Sequence, residues 1–553
     1  MKSRYLVGLV LIGAIGVAVA LPSWRRGAAR TAATQQTASL RPGGTLVSSV
    51  RSEPRSFNRY FALDPASNAV ASLTQASLVR INRQTQAVEP ALAERWDVSD
   101  DHLSYTLALR RNAAFSDGTP FTSADVLFAF AAVYDERAGS PYAETLLVGG
   151  KKLEVTAPDA NTVVLRFPSA YGPGLRILDN FPMLPRHKLE AALKAGTLPE
   201  AWSTATPPSE LAGLGPFVLS EYSPGERLVF ARNPHYWKRD DAGRPLPYLD
   251  RLVLDIVPDQ SSEVLRLETG KSDFLFSEIR PEDYAALKRK ADAGELALAD
   301  LGVGLDTNYL WFNLDPGKRP DPRRPWLQKL ELRQAISHAV DRQAFADSVY
   351  LGAAAPVYGP VTPGNKDWFS SSAPTQPYDP ERARTLLSAI GLRDSNGDGS
   401  IDYQGTPARF TLLTQKGNTA RERGAAVIQE SLRKIGLAVD VVPLEVGALI
   451  DAFSSGKYDA IYYGVVSNDA DPASQFEFWH SSGGFHVWHP GQTSPATDWE
   501  KQIDELTERQ IAASDIAQRK ALFFEAQRIF GEHLPVVCFA APRIYVAMSP
   551  RVA

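Results

Sequence analysis

Two groups of metal-type donors are the residues of this chain whose spacing most directly suggests chemistry. Asp394-Ser395-Asn396-Gly397-Asp398-Gly399-Ser400-Ile401-Asp402 sets oxygen ligands at alternate positions, Asp394, Asn396, Asp398 and Asp402 among them, around a glycine at the sharp turn. That is the opening of an EF-hand calcium loop. Gly405 stands where the bidentate glutamate belongs, so calcium held there would be structural and weak. A tight Asx-rich turn with no ion explains the same residues. The second group is His480, His486 and His489, three of the eight histidines within ten residues. Imidazoles suit nickel, copper, zinc or haem iron. The spacing fits no standard zinc pattern, and histidines beside Trp479 and Trp488 also serve as hydrogen-bonding groups within a loop.

Catalytic motifs are scarce. The chain contains no Gly-x-Ser-x-Gly elbow, no His-Glu-x-x-His and no cysteine pair. Thr269-Gly270-Lys271-Ser272 looks like the end of a phosphate loop, but Leu265 occupies the place of its first glycine. Gly302-Val303-Gly304 lacks the third glycine of a dinucleotide loop. No enzyme and no cofactor are expected.

The elements that would position these residues read as α/β. Tyr105, Leu107 and Leu109 alternate with Thr106, Ala108 and Arg110, the period of a half-buried strand. Ser116-Asp117-Gly118 supplies a turn. Thr122 with Asp125 fits a capping box, and Val126, Ala129, Phe130 and Val133 form an apolar stripe at helical spacing. A first strand starts at Gly44-Thr45-Leu46-Val47, and further strands are expected over 162–167 and 252–256. Helices are expected over 262–269 and 332–349. Cys538, the only cysteine, sits in the apolar run Leu534 to Pro542 and reads as a buried strand thiol, so no intramolecular disulfide is available.

At 553 residues the chain needs two or three cores. With 44% hydrophobic and 22% charged residues and a net charge of -4, it carries no basic footprint for nucleic acid. Lys2 and Arg4 precede an apolar run from Tyr5 to Leu21, and Ala18-Val19-Ala20 offers small residues for cleavage after Ala20: residues 1–20 read as an export signal, with an uncleaved anchor as the alternative. Residues 21–42 read as a linker. No lipid-accepting cysteine lies near the signal, which points to the periplasm.

The forty residues from Ala91 to Phe130 resemble the signature of solute-binding proteins of ATP-driven peptide, dipeptide and nickel importers, family 5. The matching positions are Leu92, Ala93, Trp96, Leu109, Arg110, Phe115, Asp117 to Pro120, Thr122, Asp125 and Val126. The resemblance continues through Gly213 to Trp237, Pro247 to Asp259, Leu310 to Asp315 and Leu332 to Arg342. It implies a periplasmic-binding-protein-like fold of type II, large peptide-binding class, with two lobes joined by two hinge strands. Lobe I would comprise 43–300, with an extra subdomain at about 78–200, lobe II 301–488, and a return to lobe I would follow over 489–553. The crossings would fall near 300–308 and 484–490.

By the same resemblance the protein captures a peptide-like solute between its lobes and delivers it to ABC permease subunits in the inner membrane, as a monomer. A segment with an Asp-Pro pair approaches the amino end of bound peptide in that family. Here it is Gly464 to Gly484, with Asp469 or Asp471 as the carboxylate and Asn468 in the place where dipeptide binders carry theirs. The alternative for Asp471 is a cap before Pro472. Glu53, Arg55, Phe57 and Asn58 follow the first strand. Trp311 and Asn313 lie beside the presumed hinge, and Gly215 and Phe217 belong to a Gly-Pro-aromatic turn. Tyr463 and Trp479, with Tyr462, are candidate pocket walls that core packing would also explain. Capture of a metal chelate or haem through the histidines is the second reading, and a hydrolase or sensor on the same fold is the third.

Overall fold

The computed structural model describes residues 42–275, 278–315, 317, 321–465 and 469–552. The expected signal and nearly all of the linker, and Asn468, lie outside them. Among the described residues no helix is long and apolar enough to cross a membrane. The chain forms two units, the first drawn from 42–169, 174–275 and 547–552, the second from 170–173 and 278–546.

In the first unit Thr45–Val50 runs parallel to Arg251–Ile256, and Arg227–Arg232 and Phe217–Ser223 complete a four-stranded sheet in that order. A second sheet, antiparallel throughout, is ordered Ala93–Val98, Ser104–Leu109, Thr162–Arg166, Glu154–Asp159. Its Tyr105, Leu107 and Leu109 are buried while Thr106 is exposed, as the alternation predicts. The helix that follows is Ser123–Tyr134. The Asp125 carboxylate accepts the Thr122 N–H at 2.9 Å and its hydroxyl at 3.2 Å, which closes the predicted cap. Val126, Ala129, Phe130 and Val133 are buried on its inner face. A fully buried side chain of this kind stabilises by about 1.5–3 kcal/mol.

The second unit is organised on a five-stranded sheet in the order Ala438–Leu444, Arg409–Gln415, Ala460–Tyr463, Tyr309–Phe312, Val536–Cys538. The first three strands are parallel, and the other pairings are antiparallel. The Tyr309–Phe312 strand is buried on both faces, and its period of two feeds two cores. Leu310 and Phe312 pack with Phe410, Leu412 and Tyr462. Tyr309 and Trp311 pack with Leu413, Ile461 and Cys538.

Three expectations change here. Residues 332–349 are not one helix but two, Leu330–Ala339 and Arg342–Tyr350, because Asp341 accepts the N–H groups of Gln343 and Ala344 and starts a new turn. The return to the first unit is confined to 547–552 instead of beginning at 489. The reason is the pairing of Val536–Cys538 with Tyr309–Phe312, which keeps the C-terminal segment in the second unit's sheet. The division on the earlier side falls at 277/278, not near 300–308.

Candidate functional site

The signature residues of the first unit lock its fold. The Arg110 guanidinium lies 4.6 Å from the Trp237 ring centre, and its Nε donates to the Ala91 carbonyl at 2.6 Å. Ser116 N–H donates to the Gly213 carbonyl, and Gly213 N–H returns to Ser116 Oγ at 3.2 Å. Two stretches about a hundred residues apart in sequence, both part of the resemblance, are thus tied to each other.

The first unit's site candidates divide by burial. Glu53 is half-buried and anchored on the turn after Phe217–Ser223, where it accepts from the Tyr222 hydroxyl and from Gly225 N–H. Burial, then the Glu53 carboxylate, pushes the Tyr222 phenol up to about 12. Arg55 is exposed. Asn58 is fully buried and structural: its Nδ2 donates to the carbonyls of Leu198 at 2.9 Å and Ala201 at 3.3 Å. Gly215 leaves no room for a side chain, because a Cβ would stand 2.5 Å from the Leu73 carbonyl oxygen. Phe57 and Phe217, both buried, come together with Trp202 on a cavity of about 20 Å³. That is enough for about one water molecule.

The second unit carries the remaining candidates. Trp311 and Trp479 are 3% and 1% exposed. Trp311 sits in the sheet core, and Trp479 packs against Phe523 and Phe530 with ring centres 5.0 and 4.9 Å apart. Both are core residues, which corrects the pocket-wall expectation for Trp479, and fully buried Tyr462 joins them. Asn313 donates to the Gly456 carbonyl at 2.9 Å and accepts from Asp315 N–H. Asp471 is buried and makes a two-pronged ion pair with Arg519, at 2.6 and 2.8 Å, while also accepting Ala473 N–H. Its negative charge is matched inside the unit, and the capping alternative describes it. Asp469, two residues earlier, is only half-buried and accepts its neighbour Ala470 N–H at 2.7 Å.

Tyr463 is half-buried, and Arg421 stacks on it with the guanidinium carbon 3.6 Å from the ring centre. Arg421 Nε donates to Asn308 Oδ1 at 2.9 Å, Nη1 to Gln415 Oε1 and Nη2 to the Gly464 carbonyl at 3.4 Å. Asn308 is fixed in turn by the Tyr350 hydroxyl at 3.1 Å. Among the described residues these acceptors are neutral, so the cation is oriented but not neutralised. Arg421 also lies in the first turn of the Thr419–Arg433 helix, whose N-terminal amides add positive potential. Sequence reasoning missed it, since nothing in a basic residue of an amphipathic helix reveals that its partners come from distant strands.

The metal candidates do not converge. Among the described residues no group of three or more His, Cys, Asp or Glu side chains is arranged to hold a metal ion. His480 Nε2 faces Glu508 at 3.2 Å, His486 Nε2 faces buried Glu500 at 3.3 Å, and His489 Nε2 faces Asp315 at 3.5 Å. Burial raises the Glu500 carboxyl, but hydrogen bonds from His486, Thr497 and Trp488 outweigh it and hold the group at about 2. Burial lowers the His489 imidazole, against the pull of Asp315. In the Asp394 loop, Asp394 accepts the N–H groups of Gly397, Asp398 and Gly399. Asp398 accepts from Ser400 N–H and Asn396 Nδ2, and Asp402 from Ser395 and Gly405. The oxygens that calcium would need already accept hydrogen bonds from their own turn.

Residues 87–486 match the family model described as bacterial extracellular solute-binding proteins, family 5. Di/tripeptide-binding protein 2 of Pseudomonas aeruginosa is 30% identical over 508 residues, 88% of this chain and 86% of that protein. Heme-binding protein A of Haemophilus influenzae is 27% identical over 542 residues, 95% and 92% of the two chains. The solved structure of the oligopeptide-binding protein AppA from Bacillus subtilis, in complex with a nonapeptide, is similar with a TM-score of 0.68 at 25% identity, covering 92% of this chain and 95% of that one.

Proposed function

The chain belongs to the bacterial extracellular solute-binding proteins of family 5, and from that premise we propose that it captures a peptide-like solute outside the cytoplasm and passes it to the permease of an ATP-driven importer. The observation that carries the peptide reading is the Arg421 guanidinium, oriented over Tyr463 at the end of the Ala460–Tyr463 strand. Arg421 is held at the Gly464 carbonyl by neutral groups, and the Asp469 carboxylate follows five residues later along the chain. A zwitterionic peptide supplies the complement: its carboxylate to Arg421, its ammonium to Asp469, both as charge-assisted hydrogen bonds. Asp471 has no part in this, since Arg519 already matches its charge.

The haem or metal-chelate reading draws on the three histidines, and each of those is engaged with a separate carboxylate. Neither reading involves catalysis. Export by the segment 1–20 to the periplasm and a monomeric working state complete the proposal.

The test is a thermal-shift panel of di- and tripeptides, nickel, zinc and haem on the purified full-length chain, because a ligand that binds only the folded state raises its midpoint. A shift with peptides supports the proposal. A shift with haem or metal alone overturns it.

A further inference from the structure

Asp469 stands next to a stretch of chain that is clamped from two sides by residues far away in sequence. The carbonyl of Ala470, itself 4% exposed, accepts from Asn365 Nδ2 at 2.8 Å in a buried contact. One residue on, Asp471 takes both prongs of Arg519, with the two side chains 4% and 2% exposed. Arg519 is held in turn by the Gln510 carbonyl at 3.0 Å and by Gln510 Oε1 at 2.9 Å, with Trp368 5.0 Å from its guanidinium carbon. The two clamping elements are tied to each other as well. Lys520 pairs with Asp367 at 2.8 Å, and Gln527 donates to the Trp368 carbonyl while accepting Ser370 N–H.

A buried ion pair is weak evidence of stabilisation, because the desolvation of two charges offsets their attraction and an apolar pair of equal volume often does as well. What such a pair does supply is a fixed geometry: two parallel hydrogen bonds admit one orientation of the carboxylate. Here that orientation, with the Asn365 bond one residue earlier, fixes the peptide planes on the C-terminal side of Asp469. The backbone on that side of Asp469 is thereby held in place, and a group held within about half an ångström of its binding geometry loses little entropy on meeting a ligand.

We infer that Arg519 and Asn365 are positioning residues for ligand selection, which act through Ala470 and Asp471 to aim Asp469 at the ammonium of a bound peptide. This rests on the reading above, that Asp469 takes the ligand's ammonium.

The experiment compares a panel of tripeptides, trialanine included, with their N-acetylated forms by titration calorimetry on the full-length chain. The wild type is expected to prefer the free amine by about 100-fold, the range of a charge-assisted hydrogen bond. Arg519→Gln is expected to reduce that preference about tenfold and Asn365→Ala about threefold, with Arg519→Lys in between. Asn365→Ala deletes a single hydrogen bond, so it decides the matter if Arg519→Gln does not fold. Arg333→Gln is the control: Arg333 is buried in the same unit on the carbonyls of His533 and Leu534, and its loss lowers stability without touching the preference. A wild-type preference that survives unchanged in Asn365→Ala, and in Arg519→Gln where that variant folds, overturns the inference and leaves the function standing. A wild type that binds no free tripeptide, or binds both forms alike, overturns the Asp469 reading and this inference with it.

Discussion

Replacing Glu500 with glutamine tests whether the histidine-rich stretch is a buried structural network. Glu500 is 3% exposed. Its oxygens accept from His486 Nε2, Trp488 Nε1 at 3.1 Å, Gln492 Nε2, Ala496 N–H at 3.0 Å and Thr497 Oγ1 at 2.9 Å. A glutamine amide must turn its NH₂ toward one set of these donors, which leaves donor facing donor. The size of the loss follows from the ionisation. The carboxyl titrates at about 2 in the folded chain against an ordinary 4.5. At about 1.4 kcal/mol per pH unit that gap amounts to about 3 kcal/mol. Because the folded value lies below the unfolded one, this stabilisation is complete above the unfolded value and disappears as pH falls toward 2. Urea unfolding of wild type and Glu500→Gln should therefore differ by about 3 kcal/mol at neutral pH, and the difference should roughly halve at about pH 3. A difference that stays constant with pH, or a variant as stable as wild type at neutral pH, refutes the reasoning.

Other expectations concern the ligand groups and the frame. Arg421→Gln should weaken binding of peptides with a free C-terminus by about 10- to 100-fold while leaving C-terminally amidated peptides unchanged, and Arg421→Lys should recover part of the loss, as read by calorimetry. Gly215→Ala places a Cβ against the Leu73 carbonyl and should cost about 1–3 kcal/mol in denaturant unfolding. Millimolar calcium should leave the thermal midpoint unchanged, since the Asp394, Asp398 and Asp402 carboxylates already accept hydrogen bonds from their own turn.

What the amino-acid sequence revealed was local. The alternation at Tyr105 to Leu109, the Thr122–Asp125 cap and the stripe from Val126 to Val133 each depend on neighbours within a few residues, and each appears in the structure as read. The signature residues carried family membership. The rest was set by distant partners. Trp479 is an aromatic residue next to a ligand-type motif, and only the packing of Phe523 and Phe530 makes it core. The burial of Asp471 could not be read locally, because its partner Arg519 lies 48 residues further along the chain. Arg421 carries no local signature at all. The division of the chain between units also escaped local reading, because strand pairing between 309–312 and 536–538 decides it.

The central claim, that the second unit presents a carboxylate and a cation to the two ends of a peptide, is tested most directly by calorimetric titration of wild-type chain with one tripeptide in four forms: free, N-acetylated, C-amidated and doubly blocked. The account predicts tight binding of the free form, loss on blocking either end, and the greatest loss on blocking both. Equal binding of all four forms, or heat with haem or nickel and none with any peptide, would contradict it.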